Sequence, residues 1–167
     1  MNRPRAARSA SRRALRRAGR WLLRAPAVLY DRNAGWLLGH RFLRLSHVGR
    51  RSGRRYRTML EVVGVGREPA EFIVLSGTGR SADWYRNLQA RPAVEVAIGR
   101  ERFAPRHRVL GATEALAVLA DYERRNRWAA PVIRVVLSRL VGWTYDGTPD
   151  ARRRLVAELP FVALRPL

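Results

Sequence analysis

Three short stretches carry residue types that could do chemistry. The first is Gly49-Arg50-Arg51-Ser52-Gly53, followed at once by Arg54, Arg55 and Arg57. Glycines let backbone amides approach an anion, while guanidiniums and the Ser52 hydroxyl add side-chain donors suited to phosphate or carboxylate. The same spacing also describes an arginine-decorated hairpin without a ligand, and spacing leaves both readings open. The second stretch, Gly77-Thr78-Gly79-Arg80-Ser81-Ala82, matches G-x-G-x-x-A after an apolar run. Glu95 lies eighteen residues beyond Gly77, near where a ribose-binding acid would stand. Alone, that pattern points to a nicotinamide dinucleotide. The helix that follows must end by Pro92, however, and no strand–helix alternation comes after it, so a chance match in a glycine-rich chain is the better account. The third stretch is Asp83-Trp84-Tyr85-Arg86-Asn87-Leu88. At helical spacing Trp84, Tyr85 and Leu88 read as core. Beside the Ser76-Gly77 loop they could instead line a planar ring and its phosphate tail.

Other chemistries are excluded or unsupported. There is no cysteine, so disulfides, thiolate metal sites and cysteine nucleophiles are ruled out. All 34 Lys+Arg residues are arginine, so no lysine is available for a Schiff base or a P-loop. Base composition of the gene is the plainer cause of that bias. His40, His47 and His107 lack metal-ligand spacing and read as structural or surface residues. Ser52 and Ser76 have no evident His/Asp framework, and no G-x-S-x-G elbow exists.

A net charge of +21 favours a polyanionic partner: nucleic acid, anionic lipid or a phosphorylated small molecule. Residues 1–30 contain nine arginines and no acid, the first carboxylate being Asp31. Leu15, Ala18, Leu22, Ala25 and Leu29 make a helical apolar stripe there, with arginines on the remaining face and Trp21 as an interfacial candidate. Residues 13–30 are therefore read either as a surface-membrane helix or as a helix packed on the body, and residues 1–12 as a solvated arm. The Arg/Ala/Ser-rich opening also has the look of an organellar transit peptide. No run approaches the roughly 20 apolar residues of a spanning helix. The expected organisation is a basic arm over 1–30 and one domain over 31–167.

Downstream of Gly39 the apolar period becomes two. Strands are expected over 42–48, 54–63, 71–76, 94–98, 101–110 and 161–165, with Tyr56, Thr58, Leu60 and Val62 on one face of the second. A short helix is expected over 83–90. Further helices run from a Thr113 cap to Arg127, from Pro131 to Gly142 with a Val132, Ile133, Val136, Leu137, Leu140 stripe, and from Thr148-Pro149 to Leu159. Five or six short antiparallel strands with helices inserted late imply an α+β fold: a split antiparallel β-barrel with peripheral helices and a basic N-terminal helix.

Taken together, the G-R-R-S-G turn, the L-S-G-x-G loop and the W-Y-R-N-L-x-A-R-P helix, in this order, resemble the deazaflavin-dependent nitroreductase family. These small split-barrel proteins use coenzyme F420, an 8-hydroxy-5-deazaflavin. The resemblance covers about residues 28–110. It implies that Arg50, Arg51 and Ser52 hold the cofactor's acidic tail and that Tyr56, Arg57, Thr58, Met59 and Leu60 flank it. It further implies that Leu75, Ser76 and Gly77 lie beside the ring, with Ser76 nearest the reacting face and a candidate proton donor, and that Trp84, Tyr85 and Asn87 close the site. The family commonly has arginine where Tyr56 stands and proline where Met59 stands, so Arg55 or Arg57 would have to supply the missing charge. Beyond Gly111 the match fades; Tyr122, Trp128, Trp143 and Tyr145 are candidates for a substrate wall or for core.

The implied activity is hydride transfer from reduced F420 to a quinone-like or other electron-poor conjugated acceptor. The expected location is cytoplasmic, either free or peripheral on the inner face of the plasma membrane, where a lipophilic acceptor would be dissolved. The alternatives are an FMN- or NAD(P)H-dependent reductase and, in another class, a nucleic-acid-binding protein without sequence specificity. The sequence does not set an oligomeric state.

Overall fold

The computed structural model describes residues 40–66 and 70–167. The first period-two segment forms β1 (Phe42–Val48), which runs antiparallel to β2 (Arg55–Val65) across the Gly49–Gly53 turn. β3 (Phe72–Leu75) pairs with β2 and leads through a 3-10 turn at Gly79–Ser81 into α1 (Asp83–Ala90). β4 (Glu95–Ile98) returns to pair with the other edge of β1, and β5 (Glu101–Phe103) pairs with β4. The expected strand over 101–110 is instead two strands. The chain kinks at Ala104, and β6 (Pro105–Val109) leaves β4 to pair with β7 (Phe161–Pro166). The kink is what closes the fold. In the sheet order β5-β4-β1-β2-β3-β7-β6, the two end strands are consecutive in the chain, so the sheet curls into a nearly closed antiparallel barrel.

Alternation decides what fills it. Leu43 and Leu45 of β1, Leu60 of β2, Phe72 and Val74 of β3, Val96 and Ile98 of β4, and Val162 and Leu164 of β7 face one interior cluster. Trp84, Tyr85 and Leu88 of α1 join it, so α1 is a stopper at one end of the barrel. Each such side chain taken from water contributes roughly 1.5–3 kcal/mol. The alternate residues Val63, Ile73, Phe161 and Ala163 face outward into a second core. That core is roofed by α2 (Ala112–Arg125), α3 (Ala130–Val141) and α4 (Pro149–Glu158). Gly64 sits where α2 crosses β2, and a Cβ there would meet Val118 at 2.9 Å, so the crossing needs glycine.

Several local expectations change. Gly111, not Thr113, is the N-cap of α2, and Ala115 and Leu119 are its deeply buried residues. Thr148 caps α4 as expected, its side chain accepting from the Ala151 amide at 3.2 Å. In α3 the apolar positions divide. Ile133, Leu137 and Val141 pack on the helical core, whereas Val132, Val136 and Leu140 face outward. Among the described residues there are seven strands, not five or six, because of the Ala104 kink. The expected basic N-terminal helix lies outside the described residues.

Candidate functional site

One face of β2 runs from the core to an open cleft. Leu60 and Val62 pack inside the barrel, and one pleat further Thr58 and then Tyr56 emerge at its mouth. Opposite them stands the start of α1, and the Gly49–Gly53 turn closes the third side. The cleft encloses about 480 Å³ and is lined by Arg50, Arg51, Ser52, Tyr56, Arg57, Thr58, Trp84 and Asn87, together with His47, Gly49, Thr78, Ala82 and Asp83.

The turn is shaped by its two glycines. Gly53 has φ +67, which favours glycine, and its amide donates to the Gly49 carbonyl at 2.9 Å. A Cβ at Gly49 would fall 2.6 Å from Ser52 Oγ and 2.7 Å from the Tyr56 ring. Ser52 Oγ and Tyr56 Oη lie 3.1 Å apart, tying the tip of the turn to the strand. α1 anchors the near end: Asn87 Oδ1 accepts from the Arg50 backbone amide at 3.0 Å and from Arg50 Nη1 at 3.2 Å. Asp83 holds the same guanidinium at 3.0 Å. Arg51, next along, is exposed and has no carboxylate partner among the described residues.

These contacts set proton positions. Asn87 Oδ1 accepts from Arg50, so Asn87 Nδ2 faces His47 and donates to its Nδ1 at 3.1 Å. Nδ1 is therefore the unprotonated nitrogen. The His47 proton resides on Nε2, which donates to Thr58 Oγ1 at 3.1 Å. With its oxygen accepting from His47, Thr58 directs its own hydroxyl hydrogen elsewhere, and Thr58 lines the cleft. Burial lowers the His47 pKa, partly opposed by the nearby Asp83 carboxylate, which keeps the ring in the neutral form this chain requires.

The remaining predicted site residues do not line the cleft. Leu60 and Tyr85 are buried in the barrel core. Met59 points to the other face of β2, in register with Arg44 of β1. Leu75 packs against the helical core, and Gly77 abuts Leu140 of α3. Ser76, expected beside the reacting face, is wholly buried. Its hydroxyl donates to the Gly79 carbonyl at 2.7 Å, so it holds the loop together. His47 and Thr78 were not expected. His47 shows no ligand spacing in sequence, and its role arises only when β1 and α1 meet. Thr78 is one of two exposed hydroxyls in the glycine loop; the other, Ser81, donates back to the Thr78 carbonyl at 2.7 Å. Of the candidate wall residues, Tyr145 is core, its hydroxyl donating to Glu123 at 2.7 Å, and Tyr122 donates to Glu61 at 3.0 Å. Trp143 packs on the helical core, whereas Trp128 is exposed. Among the described residues no group of three metal-ligating side chains occurs.

The donor set suits a planar ring with an anionic tail. Three guanidiniums (Arg50, Arg51, Arg57) and the hydroxyls of Ser52, Thr58 and Thr78 share the cleft with the Trp84 and Tyr56 rings, against the single carboxylate of Asp83.

A seven-stranded, nearly closed barrel with a helix across one end defines the class: a small split β-barrel protein. The chain belongs to the F420H(2)-dependent quinone reductase family, whose model matches residues 21–138. It is thus an oxidoreductase that uses coenzyme F420. The barrel and the cofactor expected from the motifs are those of this family, whose name carries quinone rather than nitro reduction. Among solved structures, an F420-H2-dependent reductase, FDR-A, is 17% identical, with 75% of this chain and 95% of that chain covered and a TM-score of 0.45. The haem storage protein HutZ from Vibrio cholerae is 15% identical over 83% of this chain and 90% of its own, with a TM-score of 0.46. An FMN-binding, pyridoxamine 5'-phosphate oxidase-related protein from Nostoc punctiforme is 17% identical over 85% and 78%, with a TM-score of 0.44. No curated protein matches the chain.

Proposed function

We propose that the cleft between the Gly49–Gly53 turn and α1 is where this enzyme holds coenzyme F420. The observation that carries the reading is the gathering of Arg50, Arg51 and Arg57 with Trp84 and Tyr56 around one opening. Arg51, not committed to a carboxylate among the described residues, binds the acidic tail, and Arg50 joins it from a guanidinium already oriented by Asp83 and Asn87. Ser52 and Thr78 add hydroxyl donors. Trp84 and Tyr56 flank the ring. When bound in reduced form, the deazaflavin supplies a hydride to the acceptor. Thr58, held by His47 with its proton free to turn into the cleft, replaces Ser76 as the protein hydroxyl best placed to donate.

The acceptor in this reading is a lipophilic quinone or another electron-poor conjugated molecule. The protein is cytoplasmic, with residues 1–30 as a basic arm, 31–167 as the barrel domain, and residues 13–30 bringing it to an anionic membrane surface. Among the described residues no helix is long and apolar enough to cross a membrane. Equilibrium titrations of the purified chain with F420, FMN and NADPH test the reading: F420 should bind tightest, and tighter FMN or NADPH binding would reverse it. Steep salt dependence of DNA or RNA binding without sequence preference is expected from the charge alone. Sequence-selective, salt-resistant binding would favour the nucleic-acid reading instead.

A further inference from the structure

A second group of guanidiniums converges on the helical side of the molecule. There α2, the 3-10 turn at Arg127–Ala129, α3 and α4 border a cavity of about 260 Å³. Arg124 of α2, Arg127 of the turn, Arg134 of α3 and Arg152 of α4 all line it. The only carboxylate among its lining residues is Glu123. None of these residues borders the cleft between the Gly49–Gly53 turn and α1. The four arginines lie up to 28 positions apart in the chain (Arg124 to Arg152), so only the packing of the helices brings them together.

The nearby acids are already committed. Glu123 Oε2 accepts from Arg152 Nε at 2.7 Å and Oε1 from the Tyr145 hydroxyl at 2.7 Å, so both its oxygens are engaged and Arg152 is held in place. Asp121 pairs with Arg124, and with Arg125 at 2.7 Å. Asp146 has a lowered pKa, chiefly because the Thr148 amide and hydroxyl donate to its Oδ1 at 2.9 and 2.8 Å; the charge of Arg134 contributes least. Arg127 and Arg134 therefore bring two positive charges to the cavity with no carboxylate partner among the described residues. Between the charged groups the lining is Ala120, Ala130 and Gly147, side chains too short to fill the space. Gly147 has φ +81, and a Cβ there would lie 3.5 Å from Arg134 Nε and 3.6 Å from Glu123 Oε1, so a longer residue would start inside the cavity.

We propose that this cavity is a second anion site and that it takes a small phosphate monoester. The two uncompensated guanidiniums match the roughly −1.5 to −2 charge that a monoester carries near pH 7, and their planar forks suit its terminal oxygens. Arg152, oriented by Glu123, adds a third guanidinium to the same space. The cavity is larger than a phosphate group alone, and Ile133 gives the organic part of the ester an apolar wall. A phosphodiester, as in a nucleic-acid backbone, is a poorer occupant. It carries a single charge, and both its ester arms would have to leave a hollow bordered by three helices. The cofactor assignment does not enter this inference, so either can fail without the other.

Isothermal titration of the full chain at fixed ionic strength tests it, with glycerol 3-phosphate, inorganic phosphate and dimethyl phosphate as probes. Glycerol 3-phosphate should bind tightest, and dimethyl phosphate at least about tenfold more weakly. Arg127→Gln/Arg134→Gln should weaken glycerol 3-phosphate binding by at least about tenfold, since each lost contact is charge-assisted. Far-UV circular dichroism and F420 affinity should stay unchanged in this variant, because both arginines are exposed and neither lines the cleft. Arg51→Ala, in the cleft, should leave glycerol 3-phosphate binding as it is. Ala130→Glu is an independent route to the same loss, should the double variant fail to fold. It places a carboxylate in the cavity from the first residue of α3, where the helix tolerates an acid well. The proposal is overturned if a folded cavity variant binds glycerol 3-phosphate like wild type, if the diester binds as tightly as the monoester, or if the loss follows Arg51→Ala instead. Inorganic phosphate binding as tightly as glycerol 3-phosphate would overturn the ester assignment.

Discussion

The Gly49–Gly53 turn and the β6 strand both present arginine, and the two regions use it in opposite ways. On β6, Arg108 lies between two acids. Its Nε and Nη2 donate to the Glu71 carboxylate at 2.9 Å each, and its Nη1 and Nη2 donate to Glu114 at 2.7 Å. Glu71 is 1% exposed, so this guanidinium neutralises a carboxylate that water cannot reach. Similar, more exposed pairs lace the helical side, among them Arg152 with Glu123, Arg125 with Asp121 and Arg154 with Glu158. At the turn, Arg50 is positioned by Asn87 and Asp83, while Arg51 has no carboxylate partner among the described residues and faces the cleft. In a chain with this much arginine, the residue type alone therefore says little. What separates structure from binding is whether the fold delivers a carboxylate to the guanidinium.

That contrast can be broken by mutation. Arg108→Ala should have the largest effect. It strands the buried Glu71 charge and should cost about 2–3 kcal/mol of stability, discounted because the arginine is itself partly exposed. Urea unfolding measures this, and F420 affinity of the folded fraction should not change. Arg51→Ala should do the reverse, weakening F420 binding by about 1.5–3 kcal/mol while stability moves by less than about 0.5 kcal/mol. A stability loss at Arg51 comparable to that at Arg108 would erase the distinction between the two regions.

The next effect depends on pH. Burial lowers the pKa of both His47 and His107 in the folded protein from 6.5. Between the lowered folded values and 6.5 the unfolded chain binds more protons. Their contribution is therefore complete above 6.5 and is lost as the pH falls toward the folded values. Protonated His47 would also turn an N–H toward Asn87 Nδ2, forcing that amide to release Arg50. F420 affinity should accordingly weaken on acidification, and His47→Gln should flatten the acid limb of stability without abolishing it, since His107 remains. Equal acid limbs in wild type and His47→Gln would remove His47 from the account. The smallest change is expected at Tyr122, whose pKa is pushed up to about 12, chiefly by burial and then by the Glu61 charge. Tyr122→Phe should cost about 1 kcal/mol through its lost hydrogen bond, with no effect on cofactor affinity.

Much of this was legible in the chain because it is local. The 42–48 strand, the short helix from Asp83 to Ala90 and the Thr148 cap follow from period and capping chemistry. The glycine-bounded turn and the aromatic helix start were likewise visible as motifs, and the fold brings both to one cleft. What could not be read depends on long-range pairing. The strand expected over 101–110 breaks at Ala104 because β4 and β7 compete for it, which alternation alone cannot register. Ser76 was expected at the reacting face, yet its hydroxyl closes its own turn. His47 looked inert because its partners, Asn87 and Thr58, lie forty and eleven residues away. The outward apolar face of α3 was hidden for a different reason: a helix apolar on two faces shows the same stripe as one buried on a single face.

The central claim, that the anionic cofactor sits at the turn and not among the arginines of the helical side, is open to one direct measurement. Amide hydrogen exchange should be followed residue by residue with and without saturating F420. Exchange should slow over residues 49–58 and 78–87 and stay unchanged over 112–158. Protection centred on Arg127 and Arg134, with the Gly49–Gly53 turn unaffected, would contradict it.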